Sequence, residues 1–477
     1  MDNMDPKLLP RRVKIAALIN ANVYVFLGNM YASGIATGFE SLEADFHVPY
    51  QKLSDILTWA VLAMGLCNLF WMPLAMCIGK RPAVLVSMVM SLGGFIWTSV
   101  AQSYGSLIAA RIFASLGYGS IESLGPSILA DIFHEHHYAS AMASYALSLA
   151  GGSQIGPVIA GYLVGARGWR WFFILCIIIQ AVNLVASLFM LPETLYELDD
   201  NSRPPSDGEK GTSNHFEAYI ESQPSMDYNA YWRGLWNISL SKAARQRGPL
   251  KHFAYLFVLP LPMLLIPGVF LASIMYGVVL GAVVSISTLE SSIFSAPPYY
   301  FTSAQLGLFT LSSFIGIIVA FPIAGPLTDY LSRWMRKRNN DIHEPEHRLP
   351  TLIIPFLACP VGLIVFGYTV AHQEHYTRPA VGAALAASGL AMVPSVMLSY
   401  IVDSYPATSG EALVLVNASK NVVAFGLAKG SVSWMSMEGV DKMFYEFAGI
   451  QWAVMILGLP LYFFGRWVRR RTGRFVY

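Results

Sequence analysis

Runs of apolar residues long enough to cross a bilayer as a helix, about 20 residues each, recur twelve times in this chain. In the first half they fall at 13–33, 53–76, 84–100, 107–129, 141–164 and 171–191. In the second half they fall at 270–290, 304–327, 350–371, 380–402, 413–434 and 447–465. A peptide group without a partner in hydrocarbon costs several kcal/mol, so crossings of this length must be helical. Of the 477 residues only 13% are charged and 55% are hydrophobic. Soluble domains carry about 25% charge, so a disordered chain, a coiled coil and an ordinary soluble enzyme are excluded. The expectation is an all-α polytopic membrane protein of twelve transmembrane helices, arranged as two six-helix halves. Its parts are an N-terminal tail (1–12), a first bundle (13–191), a polar linker (192–251), a second bundle with a preceding interfacial segment (252–465), and a C-terminal tail (466–477). The linker is marked by RPPSDGEKGTSN, a composition that does not build a core.

The region around Phe253 tests the count. Apolar sequence starts there and is interrupted by Pro260, Pro262 and Pro267 before the seventh run. A thirteenth crossing would place the RKR at 336–338 and the RRR at 469–471 on the outer side. The positive-inside rule argues against that, since most of the 31 lysines and arginines fall on one side of a twelve-span scheme. Both termini are therefore expected in the cytoplasm, with 253–267 lying at the membrane surface. The N-terminal segment lacks a short apolar core with a small-residue cleavage site, so no removed leader is expected. Cys67, Cys77, Cys176 and Cys359 all sit in apolar runs and read as buried hydrophobes. A net charge of +2 with no basic domain leaves no case for a nucleic-acid partner. No G-x-x-x-x-G-K-[ST] phosphate cradle occurs, so a transporter of this kind would run on an ion gradient and need no cofactor. A passive channel is disfavoured by the lack of a repeated filter loop or pore-lining ring. The expected partners are the lipid bilayer and a small solute, with the chain acting as a monomer.

Charges inside or beside the apolar runs are the candidate functional groups, because intramembrane charge is costly and marks pathways or relays. The fourth run holds Arg111 and Glu122. Eleven residues at about 100° each put the two on one face, about 16 Å apart along the axis, too far for a direct pair. Glu122 reads as a proton or substrate site, or else as one member of a structural pair. In the eleventh run Asn417, Lys420 and Asn421 stand at i, i+3 and i+4 and share a face. Lys420 lies about 13 Å along the axis from Glu411, and at that depth it needs an acidic neighbour, backbone carbonyls or an anionic solute. Asp403 and Glu411 flank the turn between the tenth and eleventh runs, and Glu290 ends the seventh at the outer rim. The fifth run contains GGSQIGPVIAG, with Gly152, Gln154, Gly156, Pro157 and Gly161; small residues allow close helix contact and proline kinks the span. Between the second and third runs stand Gly79, Lys80 and Arg81. After the eighth, GPLTDYLSRWMRKR supplies Gly325, Asp329 and Arg333. Acid and base at a helix end make a separable ion pair suited to a two-state gate, or they only fix topology. The tracts HEHH (134–137), HEPEH (343–347) and HQEH (372–375) hint at a membrane metalloenzyme, but the topology puts the third on the opposite face. The sequons at Asn237 and Asn417 fall in the linker and in the eleventh run, where no sugar is added.

These motifs, together with GWRW (168–171) and PETLYE (192–197), resemble the major facilitator superfamily, and within it the fungal twelve-span drug:proton antiporter group. The resemblance runs from FWMPLAMCIGKRP (70–82) to the last span. It implies that Gly79, Lys80 and Arg81 belong to a cytoplasmic lock, with Gly325, Asp329 and Arg333 in the second half. Met76 stands where the family has an acid, Ser332 where it has a glycine, and Ala160 replaces a glycine of the fifth-span antiporter signature. Arg111 is similar to the family's buried fourth-span arginine. Sugar-porter signatures are not evident. The resemblance implies proton antiport that exports a drug, toxin or secondary metabolite across the plasma membrane, or the vacuolar membrane instead. The same branch includes uptake permeases for polyamines and organic cations. Glu122 favours a cation and Lys420 an anion.

Overall fold

The structure, a computed structural model, describes residues 6–195, 241–338 and 344–472. Among the described residues eleven helices are long and apolar enough to cross a membrane. They are Arg11–Phe46 (span 1), Tyr50–Ile78 (span 2), Lys80–Ser99 (span 3), His137–Arg167 (span 5), Trp169–Met190 (span 6) and Pro267–Phe294 (span 7). Ser303–Arg338 (span 8), Pro345–Ala371 (span 9), Thr377–Ser404 (span 10), Ser409–Glu438 (span 11) and Val440–Arg471 (span 12) complete them. Span 4 is in two pieces, Tyr104–Tyr118 and Ile121–Ile132, each too short to cross alone. Twelve crossings return the chain to the end of the bundle where it began; this is the terminal end, and the other the distal end. Asn237 lies outside the described residues, as does most of the polar linker.

The crossing expected at 107–129 runs through one turn, Gly119–Ser120, where both residues keep right-handed helical angles. The turn's cause is close packing on glycine. A Cβ on Gly117 would come within 2.5 Å of the Ser91 nitrogen of span 3, and one on Gly119 within 2.5 Å of Cys67 Sγ of span 2. Two glycines cost a helix interior about 1 kcal/mol each, and the turn falls at Gly119–Ser120. Glu122 then lies in the first turn of the second piece, where the helix dipole favours a carboxylate.

Ahead of span 7 come short helices at Lys242–Arg247, Pro249–Val258 and Leu261–Leu265. The ten-residue helix reaches about 15 Å, half the roughly 30 Å of hydrocarbon, and the whole apolar stretch Pro249–Leu265 is shorter than the spans. Leu250 and Leu265 are 81% and 85% exposed, while Phe253 packs edge-on against Phe70 of span 2. Span 8 carries a π turn at Ile323–Leu327, beside Pro322 and containing Pro326, where the missing proline N–H groups loosen the helical ladder. The core divides with the halves: one large apolar cluster spans residues of spans 1–6, and two smaller ones belong to spans 7–12. All four cysteines are buried and free.

Candidate functional site

Halfway along the bundle the polar face of span 11 meets the broken span 4. Lys420 Nζ lies 3.4 Å from Glu122 Oε1, across 298 residues of sequence. Asn421 Nδ2 and Asn68 Nδ2 each lie 3.4 Å from Glu122 Oε2. Lys420 also approaches the Tyr276 hydroxyl at 3.4 Å and stands 4.5 Å from the centre of that ring. Lys420 is 4% and Glu122 7% exposed, so neither could keep its charge there alone. Charge-assisted N–H···O⁻ contacts usually close to about 2.7–2.9 Å; this carboxylate is instead shared loosely among three donors. The arrangement suits a pair that separates. Asn417 is half-buried, and its carbonyl accepts from Asn421 Nδ2 at 3.0 Å. The pair joins the two halves, and Gly65 of span 2 permits it, since a Cβ there would come within 2.3 Å of Asn421 Cβ.

Arg111 does not reach this site. Its guanidinium donates to the Tyr31 and Ala32 carbonyls of span 1 at 2.7 and 2.8 Å and lies over the Tyr31 ring. It ties span 4 to span 1 inside the first half.

At the terminal end each half has its own ion cluster. Lys80 Nζ pairs with Asp131 at 2.5 Å and donates to Ser127 Oγ. The Glu193 carboxylate accepts the backbone N–H groups of Lys80 and Arg81 at the start of span 3, and Arg81 donates to the Leu188 carbonyl. Gly79 has φ +102°, and a Cβ would sit 2.4 Å from Glu193 Oε2, so only glycine fits. Asp131 and Glu193 are thus the acids in contact with Lys80, where Met76 itself offers none. In the second half Arg348 bridges Asp329 at 2.9 Å and Asp403 at 2.7 Å. Arg333, in register with Asp329 in the same motif, donates from Nε to the Asp329 backbone carbonyl at 3.2 Å. Gly325 has open space around it. Glu411 is half-buried in the first turn of span 11 and takes part in none of the ion pairs among the described residues.

The halves meet closely at the distal end. Lys429 of span 11 pairs with Asp55 of span 2, Gln51 donates to Ser433 Oγ at 2.8 Å, and the Tyr50 hydroxyl bonds the Thr288 carbonyl. On the opposite flank Thr310 Oγ1 donates to the Gln154 carbonyl at 2.9 Å. The span 5 glycines split in role. Cβ atoms at Gly152 and Gly156 would strike Phe26 O and Met30 Cα of span 1, whereas one at Gly161 would strike Ser303 O of span 8 at 2.2 Å. Gly307 faces the Pro157 carbonyl in the same way. Glu290, expected at a rim, is instead buried in this seam at 5% exposure.

Reading the sequence missed Asn68, Tyr276, Asp131, Glu193, Arg348, Asp55 and Lys429 as members of these sites. Asp55 and Lys429 carried a usable signal, being charges inside apolar runs. Among the described residues no three His, Cys, Asp or Glu side chains gather as metal ligands.

Residues 21–428 match the family described as Major Facilitator Superfamily. An uncharacterized MFS-type transporter of Schizosaccharomyces pombe is 22% identical over 94% of this chain and 83% of its own length. The MFS-type transporter penM of Penicillium rubens is 26% identical over 93% of this chain and 81% of its own. Protein HOL1 of Saccharomyces cerevisiae is 23% identical over 91% and 83%. The xylose transporter XylE of Escherichia coli superposes with a TM-score of 0.66 at 12% identity, covering 95% of this chain and 98% of XylE. That likeness concerns the fold.

Proposed function

The chain belongs to the Major Facilitator Superfamily, and from that footing we propose that it is a proton-coupled secondary transporter exporting small organic compounds such as drugs, toxins or secondary metabolites. The observation that carries this reading is the loose, buried Glu122–Lys420 pair joining the two halves. A proton on Glu122 removes the charge that holds Lys420. An organic cation at Glu122 does the same by displacement. Proton and solute then compete for one carboxylate, and competition for a shared site makes the exchange obligatory. The twelve spans rock as two halves about this centre, with both termini in the cytoplasm and the plasma membrane as the residence.

Purified protein in liposomes tests the reading, with a fluorescent organic cation and a labelled polyamine as probes. Vesicles acid inside are expected to accumulate the probe, since protons leaving drive solute inward in an exchanger. Accumulation in alkaline-inside vesicles would establish the uptake permease, and no flux under either gradient would sink proton coupling.

The terminal-end clusters are the cytoplasmic gate in this scheme: Gly79, Lys80, Arg81, Asp131 and Glu193 in one half, and Asp329, Arg348 and Asp403 in the other. Arg348→Gln is expected to lower both melting temperature and transport, because it removes the cation that bridges Asp329 and Asp403. Arg333→Gln is expected to stay near wild type. Thermal unfolding in detergent ranks them, and the reverse order would reject the assignment to Arg348.

A further inference from the structure

One buried carboxylate has no place in that exchange. Glu290 lies near the distal end of span 7 and looks into a cavity of about 10 Å³ between the halves, about the room one water molecule needs. Both halves line it: Ser33 and Thr37 from span 1, Pro157 from span 5, Ser287 and Ser291 from span 7, and Thr310 from span 8. Among the described residues no ion pair or hydrogen bond engages the Glu290 carboxyl, and no Lys, Arg or His lines the cavity. The titratable group facing it is Tyr50 of span 2, whose hydroxyl is turned to the Thr288 carbonyl and the Ser292 N–H. Spans 1, 5 and 8 present only hydroxyls and apolar groups to it. An ionised carboxylate without a cation costs far more in such a place than the neutral acid, which needs only a hydroxyl partner.

We propose that Glu290 is a proton-binding latch of the distal seam: the seam closes over the neutral acid and opens when the proton leaves. On opening, the carboxyl O–H gives its proton to water entering the cavity, and the carboxylate left behind is hydrated. On closing, a proton from the distal medium returns to the same oxygen before the hydroxyl walls come together. Closure of this end is therefore tied to the acidity of the compartment it faces. This rests on the reading of the chain as a proton-coupled transporter, but the two fail separately, because the latch is read from seam opening and not from flux.

The test introduces one cysteine at Ser33→Cys, on the cavity wall, in a chain whose four native cysteines are buried. Labelling by a membrane-impermeant thiol reagent is followed from pH 5 to 9, with Glu290 present and with Glu290→Gln. Comparing the two at each pH cancels the ionisation of the thiol itself. A one-proton equilibrium moves about tenfold per pH unit, so labelling with Glu290 is expected to outrun that with Glu290→Gln by about tenfold or more at the alkaline end, and to match it at the acid end. A ratio that stays constant with pH overturns the latch, whether that ratio is one or not. Glutamine keeps the size and neutrality of the acid, so the variant is expected to fold; should it not, Glu290→Asp must retain the pH response or the proposal fails.

Discussion

Lys420→Met is expected to abolish transport and to cost about 3–5 kcal/mol of stability, because it strands the Glu122 carboxylate in a buried site without its cation. Glu122 has other donors, Asn68 and Asn421, but both contacts are 3.4 Å long and neither carries charge. Glu122→Gln should be milder for folding, since Lys420 keeps the Tyr276 ring and hydroxyl, yet equally lethal to transport. The decisive variant combines Glu122→Gln with Lys420→Met. Replacing both members of a buried pair is often neutral or stabilising, so melting should return to near wild type while flux does not. Detergent melting curves and liposome flux on the three proteins separate the outcomes. Wild-type flux in any of them would remove the pair from the transport site.

The second large effect is expected at Gly161→Val. Its side chain would enter the backbone of Ser303 across the seam, where even a Cβ comes within 2.2 Å. Overpacking costs about 1–3 kcal/mol in ordinary cores, but here the clash lies between two bodies that can part. The protein should therefore fold and stay open at the distal end, with transport lost and a seam cysteine permanently reactive. Gly152→Val is the contrast. Its clash, 2.2 Å from the Phe26 carbonyl, lies inside one half, so that variant should lose stability and accumulate poorly. Normal distal closure in the Gly161 variant, seen as unchanged thiol labelling, would contradict this division of labour within one motif.

The spans were legible because hydrocarbon leaves the backbone no choice but helix, and run length with the placement of Lys and Arg counts the crossings. The polar face of span 11 was legible for the same periodic reason. What sequence could not reveal was which charge answers which. Glu122 and Lys420 each stand out as an intramembrane charge, yet nothing between them along the chain says that they meet. Near Met76 the acids that meet Lys80 are Glu193 and Asp131, one after span 6 and one at the end of span 4, and only packing brings them there. Glu290 was misplaced for a simpler reason. Hydropathy ends the seventh run at that residue, but the helix continues to Phe294, about one turn further, and draws the carboxyl inward.

The second piece of span 4 is a twelve-residue rod with an acid near each tip. Glu122 answers to Lys420 at the centre of the protein, and Asp131 answers to Lys80 at its edge. The turn at Gly119–Ser120, where both residues keep right-handed helical angles, joins this rod to the stretch that Arg111 moors to span 1. Were the rod to tilt as one body, the acid at one tip would move with the acid at the other. Such a tilt would gear the middle of the first half to its rim through one stiff helix, with no relay of intermediate residues required.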